Sequence, residues 1–158
     1  IYIPPGGTNV RGSRAYLHAG LDLARQINDG CLPRAPAAQF CVLGSGGTAA
    51  GLVAAQWLHP ENGPVIAVQV YPSRAIGPTY LRWLAGRALK GVASRPIAPI
   101  HPRVETRQLG ACYGAITDAA LAARALFATA PPSTSRPTRA RRRWGSPPTS
   151  ATRTACAS

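Results

Sequence analysis

The sequence of 158 residues has no methionine, a single lysine (Lys90) and only five acidic residues. Because an initiator methionine is missing, we expect the chain to be a fragment that begins inside a longer protein. No run of eighteen apolar residues occurs, so no membrane span is predicted. No charged-then-apolar leader precedes the first apolar residues either. These absences favour a protein without a membrane partner.

The four cysteines show neither a C-x-x-C spacing nor a metal-like pairing with the three histidines. No metal site is therefore predicted. Cys41 lies in an apolar run and is interpreted as a small buried hydrophobe. This number and spacing of cysteines is typical of a protein with reduced thiols rather than of a disulfide scaffold, and it predicts a cytoplasmic location.

The formal net charge of +13 is unevenly distributed along the chain. Residues 129–158 contain six arginines, no acidic residue and little besides Trp144 to bury. Such a polar, cationic segment does not offset its ordering entropy, so a disordered basic tail is predicted. An RNA- or DNA-binding protein using the arginines of residues 136–143 is the alternative from another functional class. Nothing in the sequence offers base readout, however, so nucleic acid is not an expected partner.

Residues 1–128 alternate strand and helix signals and are predicted to form one α/β domain with a parallel sheet. The predicted elements are a strand at 2–3, a helix at 13–30 with Ser13 as its cap, a strand at 40–43, a helix at 48–58, a strand at 65–70, a helix starting near Pro78, and a helix at 119–128 capped by Thr117 or Asp118. Residues 91–102 are predicted to be a proline-broken connection. The continuous apolar run at 40–43 is typical of a strand covered on both faces.

The turn between the second predicted strand and the helix after it is rich in glycine, with Gly44, Gly46 and Gly47. Glycine lets the backbone bend sharply and approach a ligand closely. The first N–H groups of the following helix lack internal partners, and the helix dipole favours an anion beside them. Ser45 and Thr48 add hydroxyl donors. We therefore expect the turn to bind a phosphate group.

Residues 44–49 also match the dinucleotide pattern G-x-G-x-x-G/A, which requires an acidic residue near the end of the next strand. That strand ends in the residues QVYP (69–72), without an acid. Arg74 would suit only a 2′-phosphate, and no Walker loop is present. A nucleotide-binding oxidoreductase half-domain is therefore a second alternative, and a glycine turn needed only for packing is a third.

Three stretches in order resemble one enzyme family. They are IPPGGTN (residues 3–9), VLGSGGTAAGLV (42–53) and CYG followed by TD (112–114 and 117–118). Together they look like the D-cysteine desulfhydrase and 1-aminocyclopropane-1-carboxylate deaminase family. The resemblance covers residues 1–128. It implies the tryptophan-synthase-β fold, also called pyridoxal-phosphate fold type II, with helices flanking a parallel sheet.

By that resemblance, pyridoxal 5′-phosphate is the cofactor and its phosphate lies against Ser45, Gly46, Gly47 and Thr48. Tyr113 matches a catalytic-site tyrosine that lies over the cofactor near the substrate. The implied activity is that of a lyase or deaminase of a small amino acid. Conversion of D-cysteine to pyruvate, sulfide and ammonia is the first choice, and deamination of 1-aminocyclopropane-1-carboxylate is the alternative. An intact family member is expected to be a homo-oligomer.

The chain departs from the family at both ends. The family's Schiff-base lysine lies before the matched region, and Lys90 matches no family lysine. Beyond residue 128 the resemblance stops, although a shifted reading frame of residues 134–140 permits a family-like Leu-Glu-Thr-Tyr-Thr-Gly segment. We therefore expect the tail to be a frameshifted reading and the chain to be inactive alone.

Overall fold

A computed structural model describes residues 3–32, 35–92 and 99–129. These residues form an α/β fold with a three-stranded parallel sheet in the order β1-β2-β3 and four α-helices. The elements in chain order are α1 (Val10–Asn28), β1 (Gln39–Leu43), α2 (Gly47–Leu58), β2 (Val65–Gln69), α3 (Pro78–Leu89), β3 (Arg103–Glu105) and α4 (Asp118–Thr129), with 3-10 turns at Pro5–Gly7 and Pro60–Asn62. The predicted parallel α/β architecture is confirmed at this level.

The first helix begins earlier than predicted. Asn9 is its N-cap, and the Asn9 side-chain oxygen accepts a hydrogen bond of 2.8 Å from the Gly12 amide. Ser13, the predicted cap, instead lies inside α1 and is fully buried. The prediction was wrong because asparagine and serine are both good N-cap residues, and in the structure Asn9 rather than Ser13 caps α1.

Strand β3 was missed, because two of its three residues are charged, which gives no strand-like apolar pattern just after the predicted connection of residues 91–102. Its pairing with β2 joins Ile66 to Arg103 and Val68 to Glu105. The last helix is close to its prediction, and the Thr117 hydroxyl caps it by accepting from the Ala120 amide at 3.2 Å. The predicted strand at 2–3 and the tail lie outside the described residues, apart from Ile3 and Thr129.

The described helices α1, α2 and α3 cover one face of the sheet. On that face Leu43, Val65 and Ala67 are fully buried, and they pack in two adjacent clusters with residues of the three helices such as Val53 and Leu84. Cys41 is half-buried and packs against both clusters. Burial raises the pKa of its thiol, as expected for a cysteine that serves as a small hydrophobe.

The opposite face of the sheet is open, which corrects the prediction of a strand covered on both faces. Phe40 and Val42 point away from the helices. Phe40 is 71% exposed to solvent and Val42 is 65% exposed. The sequence pattern of β1 is that of a doubly covered strand, but α2 and α3 both pack on the same side of it. No other described element contacts Phe40 and Val42 closely enough to bury them.

Helices α1 and α2 approach each other very closely at Gly51. A Cβ atom at Gly51 would overlap the Ser13 carbonyl oxygen and lie 2.6 Å from Tyr16 Cβ and 2.8 Å from the Leu17 amide nitrogen. A Cβ atom at Gly20 would likewise overlap Ala55. The crossing therefore depends on small residues of both helices.

The structure also bears on the predictions about the redox state of the cysteines and about membrane spans. Cys41 and Cys112 are free thiols, whereas Cys31 is disulfide-bonded, which departs from the expectation of fully reduced cysteines. None of the described helices combines the length and the apolar character needed to cross a membrane.

Candidate functional site

The carboxyl ends of the three parallel strands meet at one edge of the sheet. The glycine turn follows β1 there, Val70 and Tyr71 follow β2, and the loop of residues 106–117 follows β3. In open α/β sheets, ligands bind in the crevice outside this edge. Of the predicted site residues, Ser45, Gly46 and Tyr113 belong to these connections, and Gly47 and Thr48 begin α2 directly after the glycine turn.

Gly46 is the N-cap of α2 and has a φ angle of 93°, in the left-handed region that favours glycine. Its carbonyl accepts the first helical hydrogen bond, from the Ala50 amide at 2.9 Å. No side chain caps α2. The amides of Gly47, Thr48 and Ala49 therefore remain as donors at the positive end of the helix dipole, which is the chemistry that binds phosphate.

Two neighbours that sequence reasoning did not assign hold the turn in place. The Thr8 hydroxyl donates to Ser45 Oγ at 2.5 Å, which leaves the hydrogen of the Ser45 hydroxyl able to point elsewhere. Tyr80 of α3 packs on the other side, and a Cβ atom at Gly46 would lie 3.0 Å from its ring. Only glycine fits at position 46, because of both its φ angle and this contact.

Tyr113 lies in the loop after β3 and is 70% exposed. Its ring meets the Tyr71 ring edge to face, with centroids 6.2 Å apart and an interplanar angle of 70°. Tyr113 also lines an open cleft of about 320 Å³. The lining consists of Val70, Gln108, Gly110, Cys112, Tyr113, Gly114 and Ala115.

The cleft and the glycine turn are adjacent along the sheet edge. The amide of Val70, which lines the cleft, donates to the carbonyl of Leu43 at 3.2 Å, and Leu43 directly precedes the turn. In the described part of the chain, the lining contains none of residues 45–48. The structure thus places Tyr113 and the glycine turn at the same edge of the sheet, although residues 45–48 do not line the cleft that Tyr113 borders.

The end of β2 does not offer the acid that a dinucleotide needs. Gln69 is buried there, and its side-chain amide donates to the carbonyls of Tyr71 and Ser73 at 2.9 Å each. The residue therefore stabilises the loop after β2. Arg74, the candidate for a 2′-phosphate, is exposed.

Lys90 lies at the wrong end of α3 for a role at this edge. Tyr80, near the start of α3, contacts the glycine turn, whereas Lys90 caps the other end. Ten helical residues separate them by about 15 Å. Lys90 is exposed, its backbone amide donates to the Arg87 carbonyl at 3.4 Å, and its carbonyl accepts from Arg14 Nη2 at 2.6 Å.

Glu105 ends β3 and forms a bidentate pair with Arg107, whose Nε and Nη2 donate to the carboxylate at 2.9 and 2.6 Å. The Arg107 side chain and amide lower the pKa of Glu105 from 4.5 to about 2. This pair neutralises the only acidic side chain at the end of β3, so the edge carries no unpaired carboxylate from that strand.

The lowered pKa of Glu105 predicts how stability changes with pH. A carboxylate whose folded pKa is below its unfolded pKa stabilises the fold above the unfolded value and loses that contribution as pH falls toward the folded value. For Glu105 this window runs from 4.5 down to about 2. Arg107→Gln should flatten the pH dependence of the unfolding midpoint in this window, as measured by circular dichroism. An unchanged profile would contradict the assigned pair, since Asp22, whose pKa is also lowered, titrates in both proteins.

Among the described residues, no group of three or more histidine, cysteine, aspartate or glutamate side chains is placed to hold a metal ion. The arginines of residues 136–143 lie outside the described residues. The contacts made by Thr8 and Tyr80 are the features that sequence reasoning missed. A sequence signal for Thr8 existed, because Thr8 belongs to the first family-like stretch (residues 3–9).

No protein-family model matches this chain, and no curated protein matches it in sequence.

Proposed function

We propose that this chain carries the phosphate-binding part of a pyridoxal-phosphate-dependent lyase or deaminase of fold type II that acts on a small amino acid. A D-cysteine desulfhydrase-like activity is the first choice, and a 1-aminocyclopropane-1-carboxylate deaminase-like activity is the alternative. The observation that supports this proposal is the glycine turn. It leads from the carboxyl end of a parallel strand into a helix whose N-terminus no side chain caps.

The residues of the turn fit a monophosphate well. The amides of Gly47, Thr48 and Ala49 and the hydroxyls of Ser45 and Thr48 can each donate a hydrogen bond to a phosphate, and charge-assisted hydrogen bonds of this kind are each worth about 1.5–3 kcal/mol. A Cβ atom at Gly47 would lie 3.0 Å from Thr8 Oγ1, so a larger residue there would also disturb the Thr8–Ser45 hydrogen bond. The neighbouring cleft with Tyr113 offers an aromatic border for a flat ring.

The bound cofactor would supply an electron sink for breaking a bond next to the substrate's amino-bearing carbon. The chain's own contribution is to anchor the phosphate and to present Tyr113 at the rim of the cleft. The described residues that line the cleft carry no charged side chain, which suits a small uncharged substrate side chain. The only lysine is about 15 Å from the turn along α3, so we propose that this chain does not complete the reaction alone.

The test is a titration of the chain with pyridoxal 5′-phosphate, with pyridoxal as the matched ligand that lacks the phosphate. We expect weak binding that requires the phosphate and that inorganic phosphate displaces. Mass spectrometry after borohydride reduction should show no stoichiometric adduct on Lys90, and a sulfide assay with D-cysteine should show no turnover.

Four results would contradict the proposal. If pyridoxal binds as tightly as pyridoxal 5′-phosphate, the phosphate group makes no contribution to binding. Tighter binding of NAD(P) than of pyridoxal 5′-phosphate would favour the oxidoreductase alternative. A specific Lys90 adduct together with sulfide release would make that lysine the catalyst. Salt-sensitive binding of any polyanion in place of pyridoxal phosphate would favour the nucleic-acid alternative.

A further inference from the structure

The segment that precedes α1 packs directly against the glycine turn. A Cβ atom at Gly6 would overlap Ser45 Oγ, and a Cβ atom at Gly47 would lie 3.0 Å from Thr8 Oγ1 and 3.4 Å from Thr8 Cα. Gly6 also has a φ angle of 66°, in the left-handed region, so both its conformation and its packing require glycine. The glycines on the two sides of this contact allow Thr8 to lie against the turn.

The hydrogen bond between the hydroxyls of Thr8 and Ser45 fixes how the Ser45 hydroxyl is used. The two residues are 37 positions apart, so the fold rather than the local sequence pairs them, and Thr8 donates to Ser45 Oγ at 2.5 Å. A hydroxyl group has one hydrogen and two lone pairs. Because a lone pair of Ser45 Oγ accepts from Thr8, the Ser45 hydrogen points away from Thr8 and is available to another acceptor.

We propose that Thr8 is a positioning residue that turns the hydroxyl hydrogen of Ser45 toward the phosphate group bound at the start of α2. This inference rests on the proposed function, because it takes the phosphate of pyridoxal 5′-phosphate to lie at the turn. Thr8 donates to Ser45, Ser45 donates to a phosphate oxygen, and consecutive hydrogen bonds of this kind polarise and strengthen one another. Thr8 and Ser45 are both half-buried, so water competes for their hydroxyls less than it does at a fully exposed surface.

The direction of the Thr8–Ser45 hydrogen bond decides what Thr8 contributes to binding. With Thr8 as the donor, removing its hydroxyl leaves the Ser45 hydroxyl free to rotate, and the phosphate loses an oriented donor. With Ser45 as the donor, its single hydrogen would be taken up by Thr8, and removing the Thr8 hydroxyl would release that hydrogen to the ligand. The two directions therefore predict opposite changes in the affinity for pyridoxal 5′-phosphate.

The test is a titration of the full chain with pyridoxal 5′-phosphate, followed by amide NMR, in a double-mutant cycle of Thr8→Val, Ser45→Ala and the two combined. Valine has nearly the shape of threonine without the hydroxyl, and Thr8→Val should raise the dissociation constant about fivefold. Thr8→Ser restores the hydroxyl and should bind within about twofold of the unmodified chain. In the Ser45→Ala background, Thr8→Val should change the dissociation constant by less than about twofold, because no Ser45 hydrogen is left to orient.

The outcomes separate this inference from the proposed function. If the unmodified chain does not bind pyridoxal 5′-phosphate, the proposed function fails and the inference fails with it. If the unmodified chain binds and Thr8→Val binds equally or more tightly, only the inference is overturned. It is also overturned if Thr8→Val weakens binding equally in the Ser45→Ala background, or if Thr8→Ser does not restore binding, since Thr8 would then act only through packing. Thermal unfolding establishes that each variant is folded, and Thr8→Ala repeats the comparison with a smaller side chain if valine disturbs the fold.

Discussion

A chain with aspartate in place of Thr48 is expected to lose its affinity for pyridoxal 5′-phosphate while folding at least as stably as the original. Thr48 is the second residue of α2, beside amides that no side chain caps. A carboxylate in the first turn interacts favourably with the helix dipole and should stabilise the helix by about 0.3–1 kcal/mol. The same carboxylate repels a phosphate that would occupy the turn.

These opposite effects on stability and binding are the strength of the experiment. Thr48→Asn is the matched control, because it has nearly the same shape as aspartate and no charge. Calorimetric titration with pyridoxal 5′-phosphate and thermal unfolding of the free chain measure the two effects separately. If the aspartate variant binds the cofactor as well as the asparagine variant does, the phosphate does not bind at the start of α2, and the proposed function loses the observation on which it rests.

Replacing Gly51 with alanine is expected to lower the free energy of unfolding by about 3 kcal/mol, at the upper end for adding one carbon to a packed core. The added Cβ atom would meet main-chain atoms of α1, including the Leu17 amide nitrogen at 2.8 Å. Main-chain atoms inside a helix do not move aside as the end of a flexible side chain does. Helices α1 and α2 would therefore have to separate, and the core around Leu17 and Val53 would loosen.

Gly86 provides the control for this substitution. It also lies inside a helix, α3, but a Cβ atom there would have no neighbour within 4 Å. Gly86→Ala should therefore raise the free energy of unfolding by about 0.5–1 kcal/mol, since alanine is the better helix former. Urea unfolding of the two variants measures both changes. Equal effects of the two substitutions would contradict the close crossing of α1 and α2.

Local sequence signals predicted most of the elements correctly. The apolar runs at β1 and β2, the glycine turn between β1 and α2, and the Thr117 cap of α4 each depend on residues that are neighbours in the chain. The start of α1 was misplaced because Asn9 and Ser13 are both good caps. Strand β3 was missed because its three residues carry no apolar pattern and are held by pairing with β2.

The sequence by itself determined the parallel α/β class and the chemistry of the glycine turn, because strand, turn and helix there are dictated by adjacent residues. Only the tertiary structure decided that Thr8 and Tyr80 support the turn, that Tyr113 reaches the same sheet edge, and that Lys90 does not. It also decided that Phe40 and Val42 remain uncovered, although their run is typical of a strand buried on both sides. A strand's side chains alternate between two faces whatever covers them, so which face is buried depends on where distant helices pack.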